Sequence, residues 1–412
     1  MAAGITRSSS WGPRVDQLSA RVLFGGSVLL LLGIPFSIAL VEISAGILLI
    51  AVLIAAARGL LRVPGPVWWG LGAWLAVSLL STLLSQEPGL SLQAWINKTC
   101  EYALLCLVAA HLGTDPRRAR WLLAFTAATA VVVALDALYQ GAAGRDLIRQ
   151  RAMIHGGRLM GPFGNPNNLA SYLLMVMPLQ LGWLLEVRRR TLRIGLIVGF
   201  LLEGLVLLRC DARGAWLALL LALALCLLAT HRFLWLGVLG LPGAVGVLRW
   251  HRAGLLTTVT RLDPGRSEGW SVAWAMFRDH PWTGIGWGRY MAHYLAYAPP
   301  AQSYNPSIRV DWGRPQYAHN CYLQILAEGG VFSLAAFLGL VGWILYGLVK
   351  RLAAQPAAQA GITAGLLSAL GAGLLNIGFD TGLYSLQIAS LFWVLLGLAA
   401  GVGAQGGERA AA

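Results

Sequence analysis

Charged residues are scarce in this chain, and acidic residues are the scarcest. Of its 412 residues, 17 are Asp or Glu and 31 are Lys or Arg, so that charged residues make up 12% and hydrophobic residues 57%. Soluble domains carry roughly 25% charged residues. The deficit excludes an array of soluble domains, although the length would allow two or three. The net charge of +14 lies between apolar runs, which favours membrane topology and anionic lipid or phosphate ligands over nucleic acid.

Patterns that bind metals or form disulfides are missing as well. The five cysteines are scattered within or beside apolar runs, at positions 100, 106, 210, 226 and 321. No CxxC or Cys/His spacing occurs, which excludes a disulfide framework and a zinc site. No DxD pair occurs either, so nothing indicates a nucleotide-sugar bound through its metal. We therefore predict neither a metal nor a cofactor.

Long apolar runs dominate what the sequence does contain. A membrane-spanning helix needs about 20 mostly apolar residues. The sequence predicts about twelve such spans, at residues 22–39, 41–57, 66–84, 99–113, 119–138, 167–186, 194–209, 213–230, 233–249, 322–349, 360–378 and 382–402. The first run follows a basic N-terminus and is much longer than the core of a signal peptide, so we expect it to be an uncleaved span. The predicted fold class is an all-α, polytopic integral membrane protein.

The distribution of basic residues predicts the orientation. With the N-terminus in the cytoplasm, about half of the basic residues fall in cytoplasmic segments, where they concentrate in membrane proteins. Both termini are then cytoplasmic. The outer segment 139–166 departs from this rule, because it carries Arg145, Arg149, Arg151 and Arg158. Anion binding is the explanation that we favour for these four arginines.

Three regions follow from this topology: residues 1–249 with about nine spans, a large non-cytoplasmic loop at 250–318, and residues 319–412 with about three spans. The loop is too aromatic to be a disordered linker. Residues 267–277 have the apolar spacing of a short helix. The tryptophans and tyrosines of the loop either form an interfacial aromatic belt or stack on sugar rings.

Two arginines at the outer surface are candidates for phosphate binding. Arg213 lies in a tight turn between two spans, and Arg266 follows Pro264-Gly265 before the short helix of the loop. A guanidinium binds phosphate in a bidentate manner and stays charged, and a helix N-terminus also attracts anions. The alternatives are that Arg213 snorkels, paired with Asp211, and that Arg266 is an ordinary exposed loop residue.

One histidine lies where the large loop re-enters the membrane. His319 opens the segment that continues to Gly330, and an unperturbed histidine titrates near physiological pH, as a general base should. The alternative is that His319 caps the following helix. Glu328 lies farther inside the membrane, where we expect it to hydrogen-bond another helix in a structural role.

These segments resemble the bacterial O-antigen ligase family, which shares a domain with O-antigen polymerases and some protein O-oligosaccharyltransferases. The resemblance rests on Asp211 to Trp216, Arg266 to Gly286 and His319 to Gly330, with a typical turn at Gly161 to Ala170. The overall plan also matches, with many spans and one large periplasmic loop before the last few. In this family a small hydroxyl residue often precedes the arginine that matches Arg213, whereas this chain has Cys210-Asp211-Ala212 there.

The resemblance implies a GT-C-type fold and a metal-independent glycosyl transfer in lipopolysaccharide biosynthesis. The donor would be a glycan on undecaprenyl pyrophosphate, and the acceptor a sugar hydroxyl of lipid A–core. The enzyme would lie in the bacterial inner membrane with its active site facing the periplasm. Direct displacement would invert the anomeric centre. The alternatives are a polymerase or a protein O-oligosaccharyltransferase with the same donor and, ranked below these, a lipid-glycan transporter.

The resemblance also assigns roles to residues of this chain. The essential histidine of the family matches His319, and its two essential arginines match Arg213 and Arg266, which would bind the pyrophosphate. We add Arg158, Asn320 and Trp270 as further candidates for substrate binding.

Overall fold

The computed structural model describes residues 12–153, 156–230, 264–298 and 316–405. Within these ranges the regular secondary structure is helical. The α-helices are α1 Gly12–Phe36, α2 Ile38–Ala57, α3 Gly65–Leu83, α4 Pro88–Ala94, α5 Glu101–Gly113, α6 Pro116–Ala143, α7 Pro166–Glu186, α8 Arg190–Cys210, α9 Arg213–Ala229, α10 Pro264–Asp279, α11 Tyr290–Tyr297, α12 Cys321–Ala354, α13 Gly361–Asn376 and α14 Leu386–Ala404.

Eight of the described helices, namely α1, α2, α3, α6, α7, α8, α12 and α14, are long and apolar enough to cross a membrane. The apolar helices α9 and α13 are shorter. The all-α, polytopic membrane fold expected from the sequence is therefore confirmed. Eleven of the predicted spans correspond to helices in the described ranges, whereas the predicted span at 233–249 lies outside them.

The predicted span at 99–113 belongs to a longer helical stretch. Helix α4 runs into a π-helical segment, Trp95–Cys100, and then into α5. The indole of Trp95 donates a hydrogen bond to the hydroxyl of Ser78 in α3 at 2.8 Å. The polar residues Asn97 and Lys98 interrupt the apolar run, which is why the sequence indicated a shorter helix.

Local signals in the sequence determine where several helices begin. Asp115 caps α6 by accepting a hydrogen bond from the amide of Arg117 at 2.8 Å. Asn165 caps α7 in the same way and is followed by Pro166 at the first helical position. Proline is well tolerated there because its missing N–H would lack an intrahelical partner in any case.

Small residues allow the central helices to approach closely. A Cβ atom at Gly397 or Gly401 of α14 would lie within 2.3 Å of a carbonyl oxygen of α5. The same relation holds between α7 and α13, where a Cβ atom at Gly182 would lie 2.2 Å from the Gly361 carbonyl oxygen. Both contacts use two small residues spaced four apart, the pattern that promotes helix packing in lipid. These contacts fix α13 and α14, whose connection carries part of the candidate site.

Residues 282–286 of the large loop pack against a kink in α12. Gly330 has φ +67° and ψ −173°, so that the helix changes direction there. The amides of Ile285 and Gly286 donate hydrogen bonds to the carbonyls of Ala327 and Glu328 at 3.0 and 3.1 Å. A Cβ atom at Gly330 would lie 2.2 Å from the Trp282 carbonyl oxygen, so only glycine allows this approach of two backbones.

Candidate functional site

Arg213 lies at the N-terminus of α9, where the chain turns sharply. Helix α8 ends at Cys210, and Asp211 adopts a left-handed conformation with φ +49°. The Arg213 side chain is exposed. Within the described residues it forms no ion pair with Asp211, so the snorkelling alternative loses the partner that the sequence offered. The guanidinium and the free amides of the first helical turn share one end of the helix, which is a favourable place for an anion.

Arg158 holds this turn in position. Its Nε donates to the carbonyl oxygen of Cys210 at 2.7 Å, and its Nη2 donates to Oδ1 of Asn167 at 2.9 Å. The guanidinium thus joins the end of α8 to the first turn of α7. Two of its donors are used within the protein, so Arg158 positions the Arg213 turn and has fewer hydrogen-bond donors left for a phosphate.

Arg266 and Trp270 lie on α10, which the sequence placed at 267–277 and which begins three residues earlier. Arg266 therefore belongs to the first turn of the helix, and its side chain is half-buried. A Cβ atom at Gly269 would lie 3.1 Å from Cα of Ala318. The hydroxyl of Tyr290 donates to the Gly269 carbonyl at 2.8 Å. These contacts bring α10 against the residue that precedes His319.

Asn320 caps α12, and His319 does not. The Oδ1 atom of Asn320 accepts a hydrogen bond from the amide of Leu323 at 3.1 Å. This leaves the imidazole of His319 free of a capping role, and the side-chain nitrogen of Asn320 remains a candidate for a substrate contact. His319 has φ +48°, an uncommon conformation that histidine adopts more readily than most residues.

Asp380 lies beside this imidazole. Nδ1 of His319 is 3.8 Å from Oδ1 of Asp380, and the two side chains are 31% and 12% exposed. The Asp380 carboxylate also accepts a hydrogen bond from the amide of Thr381 at 2.7 Å. At 3.8 Å the interaction is electrostatic and longer than a hydrogen bond.

The sequence did not single out Asp380, although one signal was present. Asp380 is an isolated acidic residue between the last two apolar runs. The fold fixes its position through the start of α12, since the amide of Cys321 donates to the Ile377 carbonyl at 2.8 Å. The Cys321 thiol also donates a hydrogen bond to the Asp380 carbonyl oxygen at 3.2 Å.

The turn that carries Arg213 adjoins the turn that carries Asp380. A Cβ atom at Gly214 would make an ordinary van der Waals contact, 3.7 Å, with Cβ of Phe379. The side-chain amide of Asn168 in α7 donates to the Ser385 hydroxyl at 3.1 Å on the same side. The structure therefore gathers the Arg213 turn, the α10 segment with Arg266 and the His319–Asp380 pair at one end of the helical bundle.

Glu328 supports this end from inside α12. Its carboxylate accepts hydrogen bonds from the amide of Tyr290 at 3.0 Å and from the hydroxyl of Tyr384 at 3.2 Å. Its carbonyl accepts a hydrogen bond from the Ser81 hydroxyl at 2.8 Å. Glu328 thus joins α11, α12, α3 and the turn before α14, which is the structural role expected from its position.

Glu268 is a buried acidic residue between Arg266 and Trp270. It is 4% exposed, and burial raises the pKa of its carboxyl group. Over the ranges that the structure describes, no group of three or more His, Cys, Asp and Glu residues has the arrangement of a metal site.

Comparison with known proteins supports the resemblance in this part of the chain. The sequence model of the O-antigen ligase family matches residues 196–338, which include Arg213, Arg266 and His319. The match confirms the resemblance to this family over these residues. Members of the family are glycosyltransferase-like enzymes that act on lipid-linked glycans.

No curated protein sequence matches the chain. One solved structure, from work titled "Structural coordination of polymerization and crosslinking by a peptidoglycan synthase complex", is 18% identical with a TM-score of 0.46. That similarity covers 84% of this chain and 98% of the other. A similarity at this level assigns neither a fold nor an activity.

Proposed function

We propose that this chain, whose residues 196–338 match the O-antigen ligase family, transfers a glycan from undecaprenyl pyrophosphate to a sugar hydroxyl of lipid A–core. The reaction would take place on the periplasmic side of the bacterial inner membrane. The observation that supports this most is the convergence of Arg213, α10 with Arg266, and the His319–Asp380 pair at one end of a membrane-spanning bundle.

The two arginines have the chemistry that the leaving group requires. When the bond between the anomeric carbon and the donor phosphate breaks, negative charge develops on the pyrophosphate oxygens. Arg213 and Arg266 would bind these oxygens and stabilise that charge without a metal ion. Both arginines lie in the first turn of a helix, where the unpaired amides add to the attraction.

His319 would act as the general base. The acceptor hydroxyl would lose its proton to the imidazole as its oxygen attacks the anomeric carbon. The imidazole would then carry a positive charge, which the Asp380 carboxylate at 3.8 Å stabilises. One displacement of this kind inverts the anomeric centre, with the pyrophosphate leaving as the new glycosidic bond forms.

Reconstitution with purified substrates tests this proposal. The full-length protein in proteoliposomes would receive lipid-linked glycan together with lipid A–core, with a peptide acceptor, or with no second acceptor. We expect a product only with lipid A–core. Chain growth without a second acceptor would identify a polymerase, and glycosylated peptide would identify a protein O-oligosaccharyltransferase. Movement of intact lipid-linked glycan without transfer would identify a transporter.

A further inference from the structure

A short hairpin projects from the end of α6 at the same end of the bundle as His319. Helix α6 ends at Ala143, and the residue that caps it, Gly144, has φ +76°. The chain then folds back, with an antiparallel bridge between Arg145 and Ala152. The amide of Met153 donates to the Gly144 carbonyl at 2.7 Å. The hairpin, residues 144–153, thus follows one candidate span and precedes another, α7, so it lies where membrane meets water.

Buried polar residues hold the hairpin rigidly. Asp146 is fully buried, and its two carboxylate oxygens accept hydrogen bonds from the amides of Arg149 and Arg151 at 2.5 and 2.6 Å. Asp136 of α6 accepts hydrogen bonds from the amides of Leu147 and Ile148 at 2.8 and 3.1 Å. Both carboxylates are thus hydrogen-bonded to backbone amides of the hairpin.

Two guanidinium groups lie next to each other on this hairpin. Nη1 of Arg149 donates to the Pro162 carbonyl at 3.4 Å, and the guanidinium of Arg151 covers Gly164 in the same turn. Partial burial and the nearby charge of Arg151 lower the pKa of Arg149, and the opposing effect of the Asp146 carboxylate is smaller. Within the described residues, no ion pair joins Arg145, Arg149 or Arg151 to a carboxylate. Like charges held together in this way favour an anionic ligand.

The tip of the hairpin is apolar. Leu147 and Ile148 are 58% and 45% exposed, although they neighbour three arginines in the sequence. Apolar side chains beside arginines match the boundary between acyl chains and headgroup phosphates. A phosphate-bearing lipid would contact both parts, whereas a soluble phosphate would contact only the arginines.

We propose that the hairpin 144–153 binds the headgroup phosphate of an anionic membrane lipid. Arg149 and Arg151 bind the phosphate, and Leu147 and Ile148 enter the apolar edge of the membrane. The proposal uses none of the residues assigned to the donor in the proposed function, and its test does not require glycosyl transfer. The proposal also explains why arginines occur on an outer segment, where the positive-inside rule predicts few basic residues.

Lipid quenching in the full-length protein tests the site. A fluorophore is attached to Ala143→Cys in a Cys100→Ser background, and the protein is placed in phosphatidylcholine nanodiscs. These contain either spin-labelled phosphatidylglycerol or spin-labelled phosphatidylcholine. We expect phosphatidylglycerol to quench more strongly at equal mole fraction. Arg151→Gln, which removes no described side-chain hydrogen bond, should weaken this preference about fivefold. The double variant Arg149→Gln/Arg151→Gln should abolish it.

The matched control removes two charges from the other end of the bundle. Arg189→Gln/Arg190→Gln should leave the phosphatidylglycerol preference unchanged. Equal quenching by both lipids in the parent protein would overturn the proposal, and so would a preference that survives in Arg151→Gln. Soluble glycerol phosphate is the competitor. If it binds the hairpin as well as the lipid does, with no effect of Leu147→Ser/Ile148→Ser, the ligand is free phosphate and the lipid assignment is wrong.

Discussion

The imidazole Nδ1 of His319 lies 3.8 Å from the carboxylate Oδ1 of Asp380, although the two residues belong to different turns of the chain. The segment after His319 is tied to the Asp380 turn by hydrogen bonds from both the amide and the thiol of Cys321. The pair is therefore a fixed feature of this end of the bundle. Removal of the carboxylate therefore offers a test of whether His319 is catalytic or structural.

Replacement of His319 should abolish transfer without unfolding the protein. We expect His319→Ala and His319→Asn to lower the transfer rate by about 10²–10⁴-fold, the usual loss for a general base. Asparagine tolerates the left-handed conformation that residue 319 adopts, so His319→Asn should keep the fold. The transfer rates of both variants and of the parent protein would be measured at matched expression. Activity close to that of the parent protein in His319→Asn would remove the general-base role.

Asp380→Asn should lower the rate of transfer and leave donor binding unchanged. The carboxylate lies 3.8 Å from the imidazole of His319 and would stabilise the positive charge that the imidazole gains when it takes the proton of the acceptor hydroxyl. A structural role for Asp380 would impair donor binding as well as the rate, which transfer measured against donor concentration would show. Asp115→Asn, at the opposite end of the bundle, is the matched control.

Arg213→Ala and Arg266→Ala should impair use of the donor. Lysine at either position should rescue activity incompletely, because a single ammonium cannot reproduce the bidentate geometry of a guanidinium. Transfer measured against donor concentration would show the loss. Arg58→Ala, where Arg58 pairs with Asp16 far from the candidate site, serves as the control. Full activity in both alanine variants would contradict the proposed pyrophosphate site.

Transfer should persist in EDTA. The reason is that the sequence offers no acidic motif for a metal-bound diphosphate, and arginines are the groups matched to the pyrophosphate. Activity would be measured in chelated proteoliposomes with and without added magnesium. Complete loss on chelation, reversed by magnesium, would show that a metal stabilises the leaving group instead.

Cysteine labelling should place the two ends of the bundle on opposite sides of the membrane. Arg278→Cys is exposed at the end of α10, and Ala358→Cys is exposed in the turn between α12 and α13. The four other cysteines are buried, so a Cys100→Ser background suffices. An impermeant reagent should label residue 278 in intact cells and residue 358 only after lysis. Labelling of residue 358 in sealed cells would reverse the predicted orientation.

The sequence predicted the positions of the helices more reliably than the contacts between them. Apolar runs located the spans, and the spacing of Trp270, Trp274 and Phe277 located most of α10. These signals are local, because a helix is defined by neighbours three and four residues apart. The same reasoning offered His319 as the residue that caps α12, whereas the structure shows Asn320 in that role, because an apolar run does not define the residue at which its helix begins.

The sequence by itself determined that this protein is a polytopic helical membrane protein, because the length and apolarity of each run select a span without reference to the others. Only the tertiary structure placed Asp380 beside His319 and Gly214 next to Phe379. It also showed that Arg158 is used to hold the Arg213 turn. These contacts connect residues far apart in the chain. They arise when small residues such as Gly397 and Gly401 let particular helices approach, and packing of that kind depends on both partners at once.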